Sequence, residues 1–221
     1  MGTKEQGMGR SLPGMSAVPL LPAFYFGTAE HYALLARAGS GVIETGGHYL
    51  RQSYRNRSTI VGPNGRQELI VPIARRSGEK MPLGSVGLSH DEPWPSRHLQ
   101  AIRTAYGQTP WFIHYLPDLE EMYAQRWRKL VDLDLASMHL VLRWLRLKVN
   151  VEVRDVFVED LHGLADHRTD LHPKKPLPAG IPPLPPWPQA FQERHGFSGR
   201  LSVLDLLMNT GPDARDLLQR A

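Results

Sequence analysis

Residues 130–145 read LVDLDLASMHLVLRWL. Leu130, Leu133, Ser137, Leu140, Val141, Trp144 and Leu145 fall at three- and four-residue spacing, the period of one wide helical face. A stripe that broad is stable only when covered, so this helix is expected to form the backbone of the core. Working outward, PWPSRHLQAIRTAYG at 93–107 repeats the pattern with Leu99, Ile102 and Tyr106. Pro95 suits a first helical turn, where its missing N–H has no partner anyway, and Gly107 is a stop. The aromatic stretch between Trp111 and Tyr123 joins the two helices and is expected to be helical in part.

The N-terminal side reads differently. AFYFGTAEHYALLARAG, residues 23–39, is an aromatic turn leading into a helix that Gly39 and Gly41 stop. Val42–Glu44 is a short strand candidate, and Gly46-Gly47 marks a turn or a close backbone approach. Residues 49–61 are expected to be extended. Pro63-Asn64-Gly65 is a turn signal ahead of the apolar run LIVPI, which predicts a β-hairpin with Pro72 at an edge or bulge. Arg75–Pro82 reads as a polar loop and Ser85–Leu88 as a further strand.

On the C-terminal side, Val151–Val158 is a strand candidate, and eight of the 19 prolines then fall between Pro173 and Pro188. That density excludes regular helix and central strand and implies an extended strap over the surface. Ser202 precedes LDLLMN, and Asp205 three positions on resembles a capping box; Gly211-Pro212 breaks that helix before a last turn or two. The expected fold is α+β. A disordered tail (1–16) precedes one domain (17–221) in which a small, mostly antiparallel sheet packs with a helical bundle. Within it, 17–92 is mainly β with one helix, 93–149 is helical, and 150–221 holds the strap, folding back on the domain, and short helices.

A chain of 221 residues can bury a sizeable core. Its net charge of +4 is a mild attraction for anions, short of a nucleic-acid-coating protein. Arginine outnumbers lysine, which suits bidentate contacts with carboxylate or phosphate. The absence of cysteine removes disulfides, thiolate metal sites and a cysteine nucleophile. His162, His167 and His172 recur every five residues, which is no zinc spacing, and the glycines match neither a phosphate loop nor a dinucleotide fingerprint. No metal and no cofactor are expected. No run approaches the ~20 apolar residues of a membrane span, and the N-terminus lacks a signal-peptide core, so a cytoplasmic protein is expected.

Two constellations can carry chemistry. Residues 49–57, YLRQSYRNR, hold three arginines in nine positions. As a strand they place Arg51, Ser53, Arg55 and Arg57 on one face; as a helix Arg51 and Arg55 still adjoin. Either way like charges concentrate, which requires carboxylates opposite (Glu44, Glu68 or Asp91) or a bound anion. The second is His98, at the edge of its helix stripe, either a general base or a hydrogen-bonded structural group.

YLRQSYRNRSTI with its PNG turn and ELIVPI, followed by PWPSRHLQAIRTAYGQTPWFIHY, resembles the WbqC-like protein family. The tail segments DLHPKKP and WPQAFQERHGFSGRLSVLDLLMNTGP are similar to the form of that family seen in Bacteroidetes. The resemblance runs from about Leu21 to Leu218. It implies a link to O-antigen biosynthesis and to acyl or aminoacyl transfer onto sugars. Residue by residue, Arg55, Asn56 and Arg57 match the family's R-N-R core and Arg51 its basic position. Trp94 and His98 match the W-x-x-x-H helix start, and Glu44 an acidic or polar position. Relatives carry polar side chains where this chain has Gly46 and Gly47.

The leading expectation is therefore a transferase moving an acyl or aminoacyl group to an amino sugar or nucleotide sugar by direct attack on a bound donor. Arg51, Arg55 and Arg57 would hold the anionic small molecule (a nucleotide sugar or activated acyl donor), with Tyr54 and Trp94 available for stacking. Asn56 would polarise a carbonyl, and His98 with Glu44 would deprotonate the attacking amine. The alternatives are a nucleic-acid-binding module built on the same arginines and a non-catalytic partner protein docking through the strap.

Overall fold

A computed structural model describes residues 17–74, 80–181 and 183–220. The tail expected at 1–16 lies outside the described residues, as do positions 75–79 of the expected polar loop. The main sheet contains β1 (Val18–Pro22), β2 (Ser40–Glu44), β5 (Asn150–Arg154) and β6 (Leu164–Asp166), in the order β5-β2-β1-β6. Every pairing in it is parallel, which corrects the expected mostly antiparallel sheet. Among the described strands only the hairpin of β3 (Arg57–Gly62) and β4 (Gly65–Ile70) is antiparallel, closing on Pro63-Asn64. Parallel neighbours need crossovers, and the chain supplies them: a single helix between β1 and β2, and the whole helical block between β2 and β5.

β1 hides from a sequence reading because Pro19 and Pro22 argue against a central strand. Register explains how both fit. Val18 N–H donates to Gly163 and His167 N–H donates to Leu20, so even-numbered residues of β1 face β6. Pro19 therefore faces β2 ahead of that ladder's first pair, Leu20 with Val42. Pro22 faces β6 beyond that ladder's last pair, Leu20 with Asp166. Neither missing N–H interrupts a ladder.

Helix α1 (Ala29–Ala38) ends at Gly39, whose φ of 66° is the left-handed cap. Helices α2 (Trp94–Tyr106), α3 (Phe112–Ala124) and α4 (Leu130–Leu145) stand where the periodicity places them. Residues 49–56 are turns rather than an extended run. The Ser53 hydroxyl donates to the Leu50 carbonyl at 2.6 Å, and Gln52 takes a left-handed φ of 56°. Ser85–Leu88 is not a strand either; Gly87 and Leu88 make single bridges to Lys129 and Ile73 instead of one ladder. The third strand candidate, Val151–Val158, stops at Arg154, opposite the end of β2.

The strap carries neither helix nor strand among its described residues 167–190, yet it buries Leu171, Ile181, Leu184 and Trp187. Past the short helix α5 (Gln192–His195) comes α6 (Val203–Thr210), buried on every side from Val203 to Met208, with α7 (Ala214–Arg220) closing over α1. One apolar core runs from Leu21 in β1 to Leu218 in α7, so the C-terminal segment is built into the centre of the molecule.

Candidate functional site

From β1 the chain steps outward to β2 and β5, then returns to the other side of β1 as β6. In open parallel sheets a ligand crevice forms at the strands' carboxyl ends where the winding direction reverses. Here that edge is built by residues 23–28 after β1, 45–48 after β2 and 167–170 after β6. The 49–56 turn docks against it, the Tyr25 N–H donating to the Tyr54 carbonyl at 3.2 Å.

The three arginines divide. Arg57 donates to Glu68 at 2.9 Å in a partly exposed pair, so for it the ion-pair reading holds. Arg51 is exposed and has no carboxylate partner among the described residues. Arg55 is 5% exposed, and its Nε finds no hydrogen-bond partner among the described residues. Burial lowers its pKa, opposed by the charges of Asp134 and Glu44. Beside it the Asn56 Nδ2 donates to the Val71 carbonyl at 3.0 Å, leaving its Oδ1 unpartnered. The expected single face of arginines does not form, because the turn separates Arg51 and Arg55 from the strand that carries Arg57.

The charge that most opposes burial at Arg55 is that of Asp134 in α4, although the two groups form no ion pair among the described residues. This carboxyl is fully buried, and neither oxygen has a hydrogen-bond partner among the described residues. Burial pushes its pKa well up, and Arg55 pulls the other way. Its charge also reaches Tyr25, Tyr32 and Tyr49. One turn on, the Ser137 hydroxyl accepts the Phe26 N–H at 3.1 Å, which holds α4 against the loop leaving β1.

His98 stands in an aromatic box with Tyr25, Tyr123 and Trp94. Its Nδ1 lies 3.0 Å from the Tyr25 hydroxyl, which also contacts the Tyr123 hydroxyl. Burial lowers the His98 pKa to about 4, with the Ile70 carbonyl opposing, so the ring is neutral at pH 7. A base that weak favours the structural alternative, a ring that orients Tyr25. Trp94 and Tyr54 are each only 3% exposed, and Tyr54 packs edge-on against Phe24; in this conformation neither presents a ring face to solvent.

Glu44 is committed elsewhere. Its Oε2 accepts from the Val158 N–H at 2.9 Å and from Arg168 at 2.5 Å, clasping the end of β2 to the segment beyond β6. Arg168 is further held by Asp166 and lies 4.6 Å from the Phe157 ring centre. This clasp explains Gly46-Gly47. A Cβ on Gly46 would stand 2.1 Å from the Val156 backbone, and one on Gly47 would stand 2.7 Å from Glu44 Oε1. The pair is the close backbone approach.

A model of the WbqC-like protein family matches residues 23–169. The chain belongs to that family. No curated protein and no solved structure matches it. The WbqC-like range takes in the arginine turn, the hairpin, α2 to α4 and Arg168, and it ends at the start of the strap, before its prolines and α6. Among the described residues no group of three or more His, Asp or Glu is placed to hold a metal ion, and no helix is long and apolar enough to cross a membrane. Of the family-matched positions, Arg55 and Asn56 lie together at the carboxyl edge, His98 and Trp94 line the aromatic box, and Glu44 is in the clasp. Sequence reasoning missed Asp134, although the signal was present: it occupies the apolar face of α4, four residues after Leu130 and three before Ser137.

Proposed function

We propose that this WbqC-like chain is a transferase that holds an anionic donor or acceptor through Arg55, with an acyl or aminoacyl group passing to an amino sugar. The transfer class and a cytoplasmic setting come from the resemblance and composition. The supporting observation is that the Arg55 Nε and both Asp134 oxygens are buried without hydrogen-bond partners among the described residues, each group lying in the other's field. A folded interior rarely leaves two such groups unsatisfied unless a ligand or a proton transfer uses them.

With no thiol in the chain, the economical route is direct attack of the amine on the donor carbonyl carbon: a C–N bond forms, the donor's leaving group departs, and the amine gives up a proton. Asp134 suits that proton better than His98. Burial raises the pKa of Asp134 and so makes it a stronger base, whereas it takes His98 to about 4. His98 then acts as a positioning residue for Tyr25.

A thermal-shift screen of nucleotide sugars and activated acyl donors tests the reading. Arg55→Gln should abolish the ligand-induced rise in Tm, and Arg57→Gln, which only frees Glu68, should keep it. An Arg55→Gln protein that binds and turns over like wild type removes Arg55 from the site.

A further inference from the structure

The strap brings a second set of cations to the arginine turn. Lys174 donates from Nζ to Gln52 Oε1 at 2.5 Å, joining the strap directly to the turn. Arg200 donates to the His172 carbonyl at 2.6 Å and to the Lys175 carbonyl, which fixes the strap's basic stretch beside the chain's entry into α6. Arg66, on the hairpin, donates to Ser198 and Gly199 at 3.0 Å. Among the described residues none of Arg51, Arg66, Lys174, Lys175 and Arg200 has a carboxylate partner, while Arg57 holds Glu68 and His167 holds Asp170. Burial lowers the pKa of His172, and the charges of Lys175, Lys174, Arg200 and Arg57 lower it further, which places His172 within reach of all four. Gln52 and Arg200 both hold left-handed backbones, with φ of 56° and 57°, although neither is glycine. Strain of that kind persists where surrounding contacts enforce it, and it clusters at ligand clamps.

We propose that the strap and the arginine turn together bind a diphosphate group, with Arg51, Lys174 and Lys175 contacting its oxygens and Arg200 fixing the strap that presents them. Cations on two separate segments suit an anion with two charge centres better than a single carboxylate. Their confinement to one turn and one strap suits a small molecule better than a polynucleotide track. The inference rests on the transferase reading only in making the ligand the activated sugar or donor; the site itself stands on the cation cluster.

Calorimetric titration of inorganic pyrophosphate and of uridine diphosphate into the full chain tests it. Both should bind, more weakly at about 200 mM than at about 50 mM salt. Lys174→Gln/Lys175→Gln should weaken both by about tenfold or more with Tm unchanged, since both lysines are exposed. Tighter binding of uridine diphosphate assigns the site to a nucleotide; equal binding assigns it to the diphosphate alone. No binding of either at millimolar concentration overturns the proposal, as does unchanged affinity in both the double variant and Arg51→Gln. Displacement of pyrophosphate by a single-stranded oligonucleotide at micromolar concentration also overturns it. Arg55→Gln separates the two readings. If only the strap variant loses pyrophosphate, the diphosphate site stands without Arg55. If wild type binds a phosphate-free acyl donor but no pyrophosphate, the transferase reading survives alone.

Discussion

Two aspartates are buried in helices of this molecule, and their surroundings are opposite. Asp205 of α6 accepts from Trp187 Nε1 at 2.8 Å, Gln189 Nε2 at 2.9 Å and the Tyr106 hydroxyl at 3.0 Å. Asp134 of α4 accepts from nothing among the described residues. Asp205 is a finished node that pins the strap and α2 to the central helix, and its donors oppose the upward push of burial on its pKa. Asp134 has only the field of Arg55 to do so. A buried carboxyl with its bonds satisfied is part of the fold's framework, and one left unsatisfied within the field of a buried guanidinium is where the proposed chemistry is to be tested.

The largest effect should come from the finished node. Asp205→Ala strands three buried donors, so stability should fall by about 3 kcal/mol or more, roughly 10 °C in Tm. Limited proteolysis should then cut the strap quickly; a strap that stays resistant shows that its apolar side chains alone hold it.

Asp134→Asn should have a smaller effect of opposite sign. The folded-state pKa of Asp134 is raised above its unfolded value, so its stabilising contribution is full below the unfolded pKa and is lost as pH rises through the folded one. The variant cannot ionise, so it should gain about 1–2 kcal/mol over wild type at neutral pH, the gain appearing as pH rises from about 4, where the unfolded carboxyl ionises. Urea unfolding across that range measures it. A loss at neutral pH means that the carboxylate is ionised and stabilised by Arg55.

The smallest effect belongs to the partly exposed pair of Arg57 and Glu68. Arg57→Gln should cost under about 1 kcal/mol, because the Glu68 carboxylate it holds is 41% exposed and keeps water in its partner's absence. A larger loss in a denaturant titration would show Arg57 carrying packing that the ion pair does not account for.

Helices α1 to α4 and the hairpin could be read from the chain, since their apolar spacing and their glycine and proline stops are local signals. The same holds for the strap, whose proline density leaves no regular element available, and for Ser202, whose side chain accepts the Leu204 N–H. The capping-box partner did not follow. Asp205 bonds Trp187, Gln189 and Tyr106 instead, residues far from the cap in sequence.

The parallel sheet escaped because its ladders join residues separated by whole helical blocks, and because Pro19 and Pro22 are harmless only in the register that β6 and β2 impose. The site escaped for a related reason. YLRQSYRNR by itself established a concentration of positive charge and a family motif. Only the tertiary structure gave Arg57 to Glu68, buried Arg55 within the field of Asp134, and brought Lys174 of the strap to Gln52, because charge partners are chosen by spatial neighbours that the chain order does not encode.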